Sequence, residues 1–382
     1  MSTKEFIVTS EFVDNLIDKG VKEVVGVPCS TMTPLINELC NRNMYTAFAN
    51  EGDAVSYAAG RNLEGVKVAV VLQNSGLTNA SSPVSSLTSL YDIPMLYFVG
   101  WRGYLGQKDE PQHAIMGPNT PQFISSIAPK SRTIDVSSFD RSMDIRNDTQ
   151  TFVMVTKGSF DDVELESRDP GYHDFDCLDS REDVIRNIHN FSKLHKDVLV
   201  LTTTGFTSRE LLSLEESFNR NFYMFGSMGC LISFASGVAR EYPEKKVIVI
   251  DGDGSALMRL EGSLTPLKYN LNNLFRVVVC NGEHQSTGGQ VLRDSKQVSV
   301  YLTSKGVIKS VDGLIGLENE LRKWYSDCEA YQNTCLENDE VPCQVLCQVN
   351  SKVDKNNLPR PTKTPQEIKE NFIGGVHNKL SY

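Results

Sequence analysis

Asp253 and Asn281 are the pair in this sequence best suited to hold a hard cation. The stretch VIVIDGDGSALM (247–258) runs from an apolar strand pattern into Asp251-Gly252-Asp253-Gly254-Ser255, and the next apolar run ends in VVVCNGEHQSTGG, with Asn281 at its end. A carboxylate, an amide oxygen and a neighbouring carbonyl suit Mg²⁺, which takes oxygen ligands and usually shares them with phosphate. Gly254 lets backbone amides approach such a phosphate closely, and Ser255 adds a hydroxyl donor. Asp-Gly is also among the commonest turn pairs, so DGDG alone reads first as a turn. The Asn one strand later is what makes a site of it.

Other side chains stand where chemistry is possible. Glu51, in FANEGDAVSYAAGR, ends one strand pattern and opens a helical one, a place where an acid is also favoured by the helix dipole alone. Arg102 follows the apolar run ending FVGW and suits either an anionic substrate or a structural ion pair. His113 closes the acidic loop KDEPQH, and His284 sits beside the proposed cation loop, as a proton donor or as a hydrogen-bonded structural histidine. Met228 on its own reads as core. Cys343 and Cys347 fall on one face of a strand pattern without further ligands at zinc spacing.

These residues need a frame that brings strand ends together, and the chain has the rhythm for one. Apolar runs at 22–27, 46–50, 67–74, 94–100 and 151–156 alternate with helical stretches, among them Leu35 to Arg42 and Ala54 to Leu63. From Lys157 to Ser180 the rhythm gives way to an acidic stretch, and it restarts with a helix at 182–195 and strands at 197–203, 221–226, 246–251, 274–280 and 342–349. A helix of moderate length, LEGSLTPLKYN, is expected between the last two strands before Asn281. The pattern predicts an α/β chain with two mostly parallel sheets, each covered by helices on both faces. The expected organisation is an N-terminal domain over 1–160, a linker over 161–182, a C-terminal domain over 183–352, and an extended arm with a short helix over 353–382. In open parallel sheets, ligands bind beyond the carboxyl ends of the strands, where all these candidates lie.

Composition narrows the partners. With 382 residues, 40% hydrophobic and 23% charged, the chain is long enough for two ordinary globular domains. A formal net charge of −10 argues against nucleic acid as the main partner. No apolar run approaches the roughly 18 to 20 residues of a membrane span, and the N-terminus, MSTKEFIVTSEFVDNL, reads as an amphipathic helix rather than a signal peptide. A soluble, cytoplasmic protein is expected. Nine cysteines without a repeating spacing fit reduced thiols, which leaves the sequons at Asn79 and Asn147 idle.

Gly252-Asp253-Gly254-Ser255 followed by Asn281 resembles the diphosphate and Mg²⁺ motif of the thiamine-diphosphate enzymes. The resemblance implies Asp253, Asn281 and the carbonyl of Glu283 as metal ligands; it departs from the common Asn-Asn pair at Cys280. FANEGDAVSYAAGR resembles the segment whose glutamate, here Glu51, hydrogen-bonds the cofactor's aminopyrimidine ring. FGSMGCLISFASGVA resembles the segment that supplies a glycine carbonyl, here Gly226, and a bulky residue that bends the cofactor, here Met228, with Ser227 between them. GVPCS, QNSGLTNASSPVSSL, GWRGYLGQKDEPQH, TTGFTSREL, HQSTGGQ and LPRPTKTP narrow the resemblance, from about residue 5 to about 372, to the two-domain branch that decarboxylates phosphonopyruvate or sulfopyruvate. It implies thiamine diphosphate and Mg²⁺ as cofactors, with Thr204, Gly205 and Phe206 also on the cofactor. Catalytic roles fall to Glu51, His113 and His284, and Ser30, Arg102, Lys108, Ser286 and Thr287 contact an anionic 2-oxo acid. Gln285 stands where that branch has an acidic residue. The resemblance further implies a homo-oligomer, at least a dimer, with the active site between subunits. A carboligase of the same family is the alternative chemistry.

Overall fold

A computed structural model describes residues 6–377, apart from 105–106, 141, 144, 146–149, 167–178, 216, 293–294, 305, 335–342, 351–357 and 359–361. The expected linker, the sequon at Asn147 and the proline arm therefore lie wholly or partly outside the described residues. The chain divides into two compact units, Met1–Gly171 with His284–Arg293, and Tyr172–Glu283 with Asp294–Tyr382.

The first unit is built on β1 (Glu23–Gly26), β2 (Tyr45–Ala47), β3 (Val68–Gln73), β4 (Leu96–Gly100), β5 (Arg132–Asp135) and β6 (Thr151–Val155). They form one sheet in the order β2-β1-β3-β4-β6-β5, with every pair parallel. The second unit has β7 (Val198–Thr202), β8 (Asn221–Tyr223), β9 (Lys246–Gly252) and β10 (Leu274–Cys280). The chain then forms a short two-stranded ribbon, β11 (Glu283–His284) with β12 (Gln290–Val291), whose residues from His284 on belong to the first unit, and the second unit resumes with β13 (Lys309–Val311) and β14 (Cys343–Gln348). The second sheet runs β13-β14-β10-β9-β7-β8, again all parallel. Read from the other edge, this is the strand order of the first sheet. In both, the chain leaves the first strand to one side and returns on the other, so a topological switch falls between β1 and β3 and between β7 and β9.

Both faces of each sheet are buried, which is why the strands read as continuous apolar runs. Val24, Ala69 and Val71 point into one core of the first unit, while Val25, Val70 and Leu72 point into the other. In the second unit Val198, Val200, Ile248 and Ile250 face one core, and Leu199, Leu201, Val247 and Val249 the opposite one. No helix among the described residues is long and apolar enough to cross a membrane. None of the seven described cysteines is joined in a disulfide, and Cys343 and Cys347 lie on β14.

Two local features differ from expectation. The helix over Glu51–Leu63 begins three residues before the expected Ala54, because the Asn50 side chain accepts the Gly52 N–H at 2.7 Å and caps it. The expected continuous helix between β9 and β10 is instead a 3₁₀ segment, Leu260–Leu264, followed by the single turn Thr265–Lys268, with Pro266 at its start. A proline there offers no N–H to continue the preceding turn.

Candidate active site

In the second unit, Asp253 and Asn281 come to adjacent strand ends, as their spacing predicts. Asp251 pairs with Val278 and Gly252 with Val279 across β9 and β10, so Asp253 and Asn281 leave adjacent strands at nearly the same level. The Asp253 carboxylate accepts Gly282 N at 2.8 Å through Oδ2 and Gly254 N at 2.7 Å through Oδ1. Asn281 Oδ1 accepts Glu283 N at 3.3 Å, which turns the loop back on itself. The Cys280 thiol also donates to Asp253, so the residue that departs from the family pattern still serves the carboxylate.

Asp251 and Asp253 are both buried, two residues apart, and have opposite surroundings. Asp251 Oδ2 takes Arg276 Nη2 at 2.6 Å, and Arg276 Nη1 reaches Ser263 Oγ at 2.8 Å and Gln344 Oε1 at 3.1 Å. Asp251 is thus a structural ion-pair partner. Asp253 has no cationic side chain beside it among the described residues, and burial raises its carboxyl pKa against the hydrogen bonds it accepts. A buried carboxylate without a counter-charge is costly, and a bound cation removes that cost.

The neighbouring strand ends are tied to the same place. Ser255 Oγ accepts Gly229 N at 3.0 Å and meets Thr203 Oγ1 at 3.1 Å, linking the ends of β7 and β9 to the loop carrying Gly226, Ser227 and Met228. Thr204 Oγ1 donates to Phe225 O at 2.7 Å. Gly205 has φ 91° and ψ −142°, a conformation open to glycine alone, and it starts the helix that opens with Phe206. A Cβ at Gly252 would meet nothing within 4 Å, so there is open space beside Asp253.

In the first unit, Glu51 is buried at the start of its helix. Asn79 Nδ2 donates to Glu51 Oε2 at 2.9 Å, and Gly76, just past β3, faces Oε1 so closely that a Cβ there would lie 2.4 Å from it. Arg102 forms a fork with Asp109, Nε to Oδ2 at 2.7 Å and Nη2 to Oδ1 at 2.5 Å, and Nη1 donates to Ser30 Oγ at 3.1 Å. His113 is buried rather than a surface loop residue, and its Nδ1 has no partner. Its pKa is pushed down to about 4, by burial first and by the Arg102 charge second, against Asp109 and Glu110.

His284 is buried and hydrogen-bonds the Phe48 carbonyl, while its Nε2 has no partner; burial pushes its pKa down to about 4. Thr33 Oγ1 donates to Ser30 O at 3.2 Å and Thr287 O at 3.3 Å, which brings Thr287 near Ser30. Gln285 is buried, Ser286 exposed, and Lys108 exposed with no bond or ion pair among the described residues. Sequence reasoning missed Asn79 and Asp109: nothing in spacing tells which residue of a polar loop will receive a given donor.

The family description "thiamine pyrophosphate enzyme, N-terminal TPP binding domain" matches residues 8–122, and the corresponding C-terminal domain matches 206–312. A phosphonopyruvate decarboxylase of Streptomyces hygroscopicus is 34% identical over 305 residues, which cover 74% of this chain and 75% of that one. One from Streptomyces viridochromogenes is 34% identical over 382 residues, covering 95% and 93%. The chain belongs to the phosphonopyruvate decarboxylase family of thiamine pyrophosphate enzymes. A sulfopyruvate decarboxylase subunit beta of Methanothermobacter thermautotrophicus is also similar, 42% identical over 106 residues that cover 28% of this chain and 56% of that protein.

The donor set fits the cofactor of this family. Asp253 is a buried carboxylate with no cationic side chain beside it among the described residues, and Asn281 presents an amide oxygen from the adjacent strand end. The set of one acid, one amide and one carbonyl suits Mg²⁺ and does not suit Zn²⁺. Correspondingly, no three His, Cys, Asp or Glu side chains gather into a metal cluster among the described residues.

Proposed function

We propose that the chain catalyses thiamine-diphosphate- and Mg²⁺-dependent, non-oxidative decarboxylation of 3-phosphonopyruvate to phosphonoacetaldehyde and CO₂, in phosphonate biosynthesis. The observation that carries the cofactor part is the buried Asp253, which lacks a cationic side chain while Asp251 beside it has one. The substrate is taken from the two phosphonopyruvate decarboxylases that cover most of the chain. In this reading residues 1–160 bind the pyrimidine end of the cofactor, residues 183–352 bind its diphosphate, and 161–182 link them. The enzyme works in the cytoplasm as at least a homodimer whose active site lies between subunits.

Asp253, Asn281 and the Glu283 carbonyl would hold Mg²⁺. Thr204, Gly205, Phe206, Ser227, Gly252, Gly254 and Ser255 would line the diphosphate, and Gly226 and Met228 would shape the ring end. When bound, thiamine diphosphate supplies a nucleophilic carbon and an acceptor for the electron pair released as CO₂ departs. Glu51 holds and exchanges a proton with the pyrimidine end. Its carboxylate is steadied for this by the Asn79 amide. Ser30, Arg102, Lys108, Ser286 and Thr287 bind the phosphonate of the substrate. His113 and His284, each buried with one unpartnered ring nitrogen, are the candidates to deliver the proton that completes the aldehyde.

Sulfopyruvate is the second reading, favoured by the similarity to the sulfopyruvate decarboxylase subunit. Holoenzyme assayed for CO₂ release from phosphonopyruvate, sulfopyruvate and pyruvate decides between them. Glu51→Gln tests the mechanism: near-normal cofactor binding with decarboxylation greatly reduced is expected, and full activity refutes it.

A further inference from the structure

The Arg102 guanidinium has five N–H donors. Three are taken, two by Asp109 and one by Ser30 Oγ, which leaves two without a protein partner among the described residues. The Ser30 hydroxyl accepts from Arg102, so its own proton is free to donate outward, and Ser30 is exposed. Two N–H groups and one O–H on adjoining atoms make a donor array of the kind that a tetrahedral oxyanion accepts.

Asp109 cannot be part of that array. Its Oδ1 receives Arg102 Nη2 at 2.5 Å and Glu110 N at 2.8 Å, and its Oδ2 receives Arg102 Nε at 2.7 Å and Gly103 N at 2.9 Å. The four acceptor positions of the carboxylate are filled. The backbone closes tightly around this arrangement: Gly103 has φ +65°, and a Cβ there would lie 2.4 Å from the His113 carbonyl oxygen. The loop therefore grips one edge of the guanidinium and leaves the other edge free.

We infer that Asp109 is a positioning residue for substrate selectivity, clamping Arg102 so that its free edge and the Ser30 hydroxyl receive the phosphonate group of the substrate. The inference rests on the reading of Arg102 and Ser30 as substrate contacts. Because the clamped pair is neutral overall, the array recognises a tetrahedral anion by the directions of its donors rather than by surplus charge. Pyruvate, which has no anionic group on its third carbon, makes no use of it.

The test compares holoenzyme of the wild type, Asp109→Asn, Asp109→Glu and Arg102→Gln, with phosphonopyruvate and pyruvate as substrates and phosphonoacetate binding followed by calorimetry. In Asp109→Asn, KM for phosphonopyruvate and Kd for phosphonoacetate should both rise about tenfold or more, with kcat and the KM for pyruvate shifting less than about threefold. Asp109→Glu, which keeps the charge on a longer arm, should recover part of the loss; should the Asn variant not fold, the Glu variant, its KM raised by a smaller factor, carries the same comparison. Equal losses for both substrates, or a fall in kcat at unchanged KM, would overturn the inference. If Arg102→Gln raises KM while both Asp109 variants leave it unchanged, only the positioning role fails. If Arg102→Gln leaves KM and phosphonoacetate binding unchanged, the reading of Arg102 as a substrate contact fails as well.

Discussion

Gly76→Ala should separate activity from folding more cleanly than any change to Glu51 itself. Gly76 has φ −70° and ψ −19°, ordinary right-handed backbone that alanine adopts without strain. Its added methyl would lie 2.4 Å from Glu51 Oε1, 2.8 Å from Cδ and 2.9 Å from Cγ. To restore ordinary van der Waals contact the carboxylate must retreat by roughly 1 Å, a displacement that in an active site can cost about 100-fold in rate. The obstacle is the far end of a flexible side chain, so folding pays little: stability should stay within about 1 kcal/mol, helped by the smaller conformational freedom of unfolded alanine. Steady-state CO₂ release from phosphonopyruvate, thiamine diphosphate retention after gel filtration and a thermal melt read the three quantities separately. We expect kcat to fall about 100-fold with the melt almost unmoved. Activity within about threefold of wild type, in a protein that retains its cofactor, would refute the placement of Glu51 as the proton-handling group.

Asp253→Ala should weaken retention of thiamine diphosphate and Mg²⁺ while leaving the fold intact; unchanged affinity for both in calorimetry would count against the metal assignment. Arg276→Met leaves Asp251 buried without its partner and should cost about 3–5 kcal/mol in urea unfolding, whereas pairing it with Asp251→Leu should recover most of that. A double variant no more stable than the single one would show that Asp251 is not what the arginine serves. His113, with its pKa pushed down to about 4, is neutral in the folded protein at pH 7. The unfolded chain takes up that proton first, so the contribution to stability is full above about pH 6.5 and falls away as pH drops toward 4. Urea midpoints measured at pH 7.5 and 5 should therefore differ less in His113→Asn than in the wild type, and an identical difference would contradict the burial of a neutral imidazole.

The sheets were largely legible because a strand buried on both faces must be apolar throughout, and runs such as VAVVL and VIVI carry that mark. The strands that escaped notice, Arg132–Asp135 and Lys309–Val311, are edge strands with exposed positions and too few apolar residues to stand out. Arg276 misleads in the opposite sense: a charged residue in LFRVVVC suggests an exposed face, yet it is fully buried because its partner Asp251 lies one strand away. The proximity of Asp253 and Asn281 was readable since both sit at strand ends fixed by the apolar pattern. The clamp on Arg102 was not, because a short loop offering Lys108, Asp109 and Glu110 gives no periodicity from which to choose. The broken helix before β10 shows the same limit, where a proline outweighed an otherwise helical pattern.

The common strand order of the two sheets lets their ends be compared place by place. After the second strand, one sheet presents Glu51 and the other Gly226 to Met228; after the third, one presents Asn74 to Gly76 and the other Asp253 to Ser255. The same frame occurs twice, and the two copies carry different residues at the same few connections. Evolution of a new substrate preference in such a chain would be written in those connections and in the Arg102 loop, with the sheet interiors free to drift so long as their volume is kept.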